Sequence, residues 1–193
     1  MHQKYHTEAI ILKASDYKES NKLYHLFTEK FGLILANAQG VRFLKSKLRY
    51  GLQEYSLSDV SVVRTGDIWK ITNSVPKRNF YFEHQDDKKK LDVILRTSIF
   101  MRRFLHGEEE DMNLYKELKH AFEHLSLVKE GEETNFENSL LVRILGQLGV
   151  LKHSEKIPSI LNAENIGLAL MKFNDEKHVA LQALNASLEE SQI

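Results

Sequence analysis

The sequence predicts an α+β chain of two domains: a small five-stranded β-barrel at residues 1–82, then an all-α domain at 83–193. Three observations lead there. Apolar residues of the front part come in short alternating blocks cut by glycine and polar clusters. Those of the rear part recur at three- and four-residue spacing. The balance of charge changes sign at about the same place.

In the front part, Ala9-Ile10-Ile11-Leu12, Leu23 to Phe27, Leu33-Ile34-Leu35-Ala36, Leu57 to Val63 and Ile68-Trp69-Lys70-Ile71 read as five strands. Phe31-Gly32 marks a tight turn between the second and third, and Thr65-Gly66-Asp67 a hairpin between the fourth and fifth. So many short strands in so short a segment suit a closed or nearly closed barrel, because closure removes the edges that invite aggregation. The OB-fold is the leading candidate. Pro76 interrupts the last strand, which places the domain boundary between Asn79 and Asp86.

Behind it, Leu91, Ile94, Leu95, Ile99, Met101, Phe104 and Leu105 define one helix, and Leu114, Leu118, Ala121, Phe122 and Leu125 a second. Asp86 and Asp87 open the first, and Glu108 to Asp111 stand ahead of the second, where carboxylates favour the positive end of the helix dipole. Phe136, Leu140, Leu141, Ile144, Leu145 and Leu148 make a third helix, ended by Gly149. Two weaker helices follow, near 159–171 and 177–190; residues 151–160 carry no signal of their own.

A chain of 193 residues is long enough to bury a core of about 70% of its unfolded surface if it folds as one domain. It has no cysteine, hence neither a disulfide framework nor a cysteine-based zinc site, and a cytoplasmic location is the default expectation. The opening Met1-His2-Gln3-Lys4 lacks the pattern of a secretory leader, and no segment reaches the roughly 18 apolar residues of a membrane span, so no membrane role is expected.

The 27 Lys and Arg balance the 27 Asp and Glu, which at first speaks against a nucleic-acid partner. The balance hides a division. Residues 1–83 hold 13 basic against 8 acidic residues, and residues 84–193 hold 14 against 19, so the two parts carry +5 and −5. Between Glu29 and Glu54 there is no acid, yet Lys30, Arg42, Lys45, Lys47 and Arg49 all fall there. On charge alone this stretch is either a solvated basic loop or a polyanion-binding one. Aromatic residues are interleaved with it: Tyr24, Phe43, Tyr50 and Tyr55. On a small barrel an aromatic is more often core than a stacking platform, and Phe43 and Tyr50 are the first candidates for stacking because they lie inside the basic stretch. Lys13, Lys18 and Lys22 bracket the first inter-strand loop and extend the patch if they share its face.

The front part also resembles a known family. Thr7-Glu8-Ala9-Ile10-Ile11-Leu12-Lys13, Asp16-Tyr17-Lys18-Glu19-Ser20-Asn21-Lys22-Leu23 and Leu26-Phe27-Thr28-Glu29-Lys30-Phe31-Gly32 are similar, in this order, to the opening of the RecO family of bacterial recombination mediators. Ala38-Gln39-Gly40-Val41-Arg42, Lys45-Ser46-Lys47-Leu48-Arg49 and Gly51-Leu52-Gln53-Glu54-Tyr55-Ser56-Leu57 continue the resemblance, and Phe136 to Val150 matches a family helix more loosely. Three positions depart from the family pattern: Gln39 replaces a Lys, Asn21 an Asp and Glu54 a Pro. Many members carry a four-cysteine zinc site, which a chain without cysteine does not share, so no cofactor or metal is carried over; the chain also looks shorter than typical members.

The resemblance implies a non-enzymatic protein of DNA repair and homologous recombination. Such a protein binds single- and double-stranded DNA and anneals complementary strands. With RecR it helps load RecA onto strands coated by single-stranded-DNA-binding protein. Arg42, Lys45, Lys47 and Arg49 are then the expected phosphate contacts, with Phe43, Tyr50, Lys13 and Lys22 beside them. If all four of the first set met phosphates, affinity for single strands would fall with salt at a log-log slope of about −3. Annealing needs no nucleophile, only charge neutralisation. The family associates its helical domain with the acidic tail of the single-stranded-DNA-binding protein, and Arg102 and Arg103 are the nearest cationic candidates for such a contact.

Catalytic readings fare poorly. His120 and His124 share one helical face but lack an evident third ligand; His2 and His6 share the spacing, but their segment is terminal and not expected to be helical. No phosphate-binding glycine loop or nucleophile elbow occurs. Asp16 and Glu19 lie in a turn beside lysines, where surface or capping roles are the ordinary ones. Two other classes stay open: a generic RNA- or tRNA-binding barrel, and an adaptor whose business is protein contact.

Overall fold

The computed structural model describes residues 3–66, 68–105 and 107–190, so the expected hairpin residue Asp67 lies outside the described residues. The five strands form as expected: β1 (Lys4–Tyr17), β2 (Asn21–Thr28), β3 (Gly32–Ala38), β4 (Ser56–Thr65) and β5 (Ile68–Asn79). They close into a barrel in the order β1-β2-β3-β5-β4. In a closed barrel every strand serves two neighbours, and the long β1 divides its length between them. Lys4 to Ile10 pair with β4, Ala9 to Tyr17 with β2, all antiparallel. A bulge at Leu12, where the register skips from Ile11↔Leu26 to Lys13↔His25, bends the strand for this double duty. The closing seam between β3 and β5 is short and parallel, Ala36↔Trp69 and Asn37↔Lys70.

Alternation fills the barrel. On β3, Ile34, Ala36 and Ala38 point inward while Leu33, Leu35 and Asn37 stay half-buried. Tyr5, Phe31 and Trp69 plug one end, with ring centroids 4.9 to 5.6 Å apart. The Phe31-Gly32 turn needs its glycine: φ is +59°, and a Cβ there would stand 2.0 Å from the carbonyl oxygen of Glu109.

Pro76 does not end the last strand. It pairs with Ser58 inside β5, and Lys77 is the extra residue of a bulge between Ser58↔Pro76 and Leu57↔Arg78. A bulge spares the ladder from needing the missing N–H, so the strand runs on to Asn79.

The barrel is not the whole of its compact unit. The chain divides into Met1–Tyr115 and Lys116–Ile193, beyond the boundary expected at 82/83. The reason lies on the outside of β1, where Ile10 and Leu12 are as buried as the inward residues and require a cover. A helix of four residues, α2 (Phe80–Glu83), and a long one, α3 (Lys88–Phe104), follow β5, and α3 packs on β1. Asp87 caps α3, its carboxylate accepting from Lys90 N–H at 3.1 Å. The buried face of α3 is Val93, Ile94, Thr97, Ser98 and Met101; Ile99, expected in the core, is exposed because two hydroxyl residues take the places facing inward. Phe27 meets the ring of Tyr115 at 5.6 Å, and the Tyr115 hydroxyl donates to Glu8 Oε1 at 3.0 Å. Burial first, and the Glu8 carboxylate second, push the Tyr115 phenol far above its ordinary range, so it is a permanent donor.

The second unit consists of the end of α4 (Met112–His124), α5 (Glu133–Gln147), α6 (Pro158–Leu161), α7 (Ile166–Asp175) and α8 (Lys177–Glu190). Gly149 stops α5 as expected, at φ +71° with Val150 N–H returning to Leu145 O. The single helix expected at 159–171 is instead two. Asn165 starts a new one by accepting from Leu168 N–H at 3.0 Å. α5 is central, with Phe136, Leu140, Val142, Ile144 and Leu145 fully buried. His124 is a packing residue: its ring lies parallel to Phe136 and against Gly167. No helix among the described residues is long and apolar enough to cross a membrane.

Candidate nucleic-acid interface

The basic stretch between β3 and β4 is pinned at its ends and exposed between them. Gly40, at φ +66°, turns the chain out of β3 and donates its N–H to Asn21 Oδ1 at 2.9 Å. Arg42 N–H donates to Ser20 O at 3.1 Å, and Val41 is buried, so the loop is stitched to the β1–β2 turn. At the other end the one-turn α1 (Leu48–Gly51) docks through Gly51, whose carbonyl accepts from Ser58 Oγ at 2.7 Å. A side chain at Gly51 would meet Ser74 at 2.7 Å. With Val41, Gly51 and Leu52 facing in, Arg42, Phe43, Leu44, Lys45, Lys47, Arg49 and Tyr50 are left in solvent.

A concavity of about 800 Å³ opens on this side of the barrel. Four of the expected residues line it: Lys13, Lys22, Arg42 and Arg49. They come from β1, β2, the loop and α1, and only the fold brings them together. Phe43, Lys45, Lys47 and Tyr50 are exposed on the same segment but do not line the concavity. Tyr24 and Tyr55 do line it, yet both are essentially buried and belong to its floor. Burial, followed by Glu54 and Asp16, holds the Tyr24 phenol well above its usual range, so it stays neutral.

Two carboxylates share the site. Lys13 Nζ lies 3.2 Å from Glu54, whose Oε1 also accepts from Ala14 N–H at 2.7 Å. Asp16 is 3.8 Å from Lys22 and 3.5 Å from Arg42. These are partly exposed pairs of the kind worth less than about 1 kcal/mol. Four cations against two carboxylates leave the concavity with a charge of +2.

Two further lining residues were not legible as site residues: Tyr81 and Phe82 of α2. They follow Pro76 in what reads as a linker. The Phe80-Tyr81-Phe82 run behind a capping Asn79 was the one signal present. Arg102 and Arg103, expected to face a protein partner from the rear domain, end α3 and so belong to the barrel's unit. Arg102 is half-buried and faces the barrel: burial first, then its charge, then that of Lys13, lower the pKa of His25 on β2. Arg103 is exposed.

Residues 1–80 match the family model described as "Recombination protein O N terminal". The chain is 33% identical over 108 residues to the DNA repair protein RecO of Clostridium perfringens, covering 56% of this chain and 44% of that protein. It is 33% identical over 119 residues to that of Clostridium novyi, covering 60% of this chain and 45% of that protein. The match thus spans less than half the length of these relatives. With the DNA repair protein RecO of Chlorobium phaeobacteroides it is 26% identical over 196 residues, covering 95% of this chain and 72% of that protein. The closed five-strand barrel, the basic loop after β3 and the match to the recombination protein O N-terminal model fall on the same residues, so it is the N-terminal 80 residues that carry the similarity to RecO proteins.

Proposed function

We propose that this chain is a DNA-repair and recombination protein that binds single- and double-stranded DNA through the concave basic face of its barrel and promotes annealing of complementary strands. It carries out no covalent chemistry: the site gathers cations and rings, and two polyanions approach once their phosphates are neutralised. With RecR, it helps RecA onto strands coated by the single-stranded-DNA-binding protein, and the acidic rear part serves protein contacts.

The observation that carries the reading is the convergence of Lys13, Lys22, Arg42 and Arg49 from four separate segments on one concavity, beside open aromatic rings. Lys45 and Lys47 extend the cationic surface along the exposed loop. Each phosphate engaged on a single strand contributes about −0.7 to the log-log salt slope. Replacing Arg42 and Arg49 by alanine is therefore expected to flatten the slope by about 1.4 and to slow annealing. Titrations of single-stranded DNA, duplex and RNA at two salt concentrations check this. Equal, weak binding to all three, or a double variant that anneals as well as the parent, contradicts the proposal. Tighter binding to RNA than to DNA would favour an RNA-binding barrel instead.

A further inference from the structure

We infer that Tyr81 and Phe82 form a shelf on which an unstacked nucleobase lies, and that this shelf, not the cations, makes the concave site favour single-stranded over duplex nucleic acid. The inference rests on the nucleic-acid reading above and deepens it to a class of substrate.

The two rings are open where apolar rings are ordinarily covered. Tyr81 is 41% and Phe82 52% exposed, while Phe80, their neighbour, is 0% exposed and anchors the turn. Their centroids stand 5.8 Å apart at 82°, so they present a face and an edge together. Both line the concavity that holds Arg42 and Arg49, and its size falls within the range of about 300–1,000 Å³ typical of ligand sites.

The turn that carries the shelf is tied down at its backbone. The Asn79 side chain accepts from Phe82 N–H at 3.0 Å and donates to Gln53 Oε1 at 2.9 Å and Ser56 Oγ at 3.0 Å. Phe80 N–H donates to Tyr55 O at 3.1 Å, and Tyr55 N–H to Ile11 O at 2.7 Å, which fixes Tyr55 in a left-handed conformation at φ +64°. Arg78 and Glu83 clamp the turn with two bonds of 3.0 and 2.6 Å. A turn whose backbone is tied before binding has less freedom to give up when a base stacks on the rings it carries.

Selectivity follows from what each group can reach. Phosphates are displayed by single strands and duplexes alike, so Lys13, Lys22, Arg42 and Arg49 cannot tell them apart. A base inside a duplex has both faces covered by its neighbours. A ring offers its face only to a base that has left the stack, and in a duplex that departure costs unpairing and unstacking.

The test compares affinities for a labelled oligothymidine and a blunt duplex of equal length, at two salt concentrations. The proteins are the full chain, a Tyr81→Ala/Phe82→Ala variant and an Arg42→Ala/Arg49→Ala variant. The aromatic variant is expected to lose about tenfold in affinity for the single strand while its duplex affinity and salt slope hold. The arginine variant is expected to lose affinity for both and to show a flatter slope. A Tyr81→Leu/Phe82→Leu variant, which keeps the apolar bulk, should behave like the alanine variant, whereas Tyr81→Phe should behave like the parent. A 2-aminopurine in the oligonucleotide should be quenched by the parent and not by the leucine variant. Equal losses on both substrates, or none on either, overturn the shelf. Absence of salt-dependent binding by the parent chain would instead remove the nucleic-acid reading beneath it.

Discussion

Glu54 stands where the family resemblance leads one to expect a proline, and it alters the chemistry of the site. Its carboxylate accepts from Ala14 N–H and pairs with Lys13, so one of the four cations lining the concavity is partly spoken for. Glu54→Gln keeps an oxygen for the Ala14 N–H and removes the charge. The expected outcome is tighter binding of single-stranded DNA and a salt slope steeper by up to about 0.7 as Lys13 is released to a phosphate; unchanged titrations would show that Lys13 makes no such contact. Asn21, which stands for an aspartate, changes less. Its Oδ1 accepts from Gly40 N–H, a task either residue performs, and so it still ties the basic loop to the β1–β2 turn. Residue by residue the cations were legible, because charge in an acid-free stretch is visible without a fold. Tyr81 and Phe82 were not, because nothing in a linear pattern says that β5 outlasts its proline and delivers them to the rim.

Among the elements, α5 depends most on one side chain. Arg143 is buried, binds Glu117 through Nε at 2.6 Å and Nη2 at 2.7 Å, and turns Nη1 to the carbonyl oxygens of Ile160 at 2.9 Å and Ala163 at 2.8 Å. It satisfies the end of α6 and ties it to α4 and α5. Arg143→Met leaves the half-buried Glu117 carboxylate and two carbonyl oxygens without their partner, and is expected to cost about 3–5 kcal/mol, read from chemical denaturation. A loss under about 1 kcal/mol would mean that the pair contributes little. Nothing in the sequence marked Arg143, since an arginine inside an apolar helix reads equally as a surface residue. The strands were legible because alternation survives in β3 and in the blocks of β1 and β4. The bulges at Leu12 and Lys77 were not, for they depend on which neighbour each half of a strand must reach. The burial of Thr97 and Ser98 in place of Ile99 was invisible for a related reason: Ile94, Thr97, Ser98 and Met101 share one helical stripe, and which stripe turns inward is decided by what α3 packs on.

At the scale of the molecule, the zero net charge is a cancellation between two compact units. Divided at Tyr115, the front unit holds 19 basic against 15 acidic residues and the rear unit 8 against 12, so the sums are +4 and −4. The asymmetry survives the shift of boundary because α3 and the segment behind it are nearly balanced. Net charge thus favours the front unit, which holds the concavity, over the rear as the place for a polyanion under the proposed function. Photocrosslinking of a 4-thiothymidine oligonucleotide to the full chain, with the adducts mapped by mass spectrometry, tests this most directly. The expected adducts fall on residues 42–55 and on Tyr81 and Phe82; adducts confined to Lys116–Ile193 would contradict the assignment of DNA to the barrel.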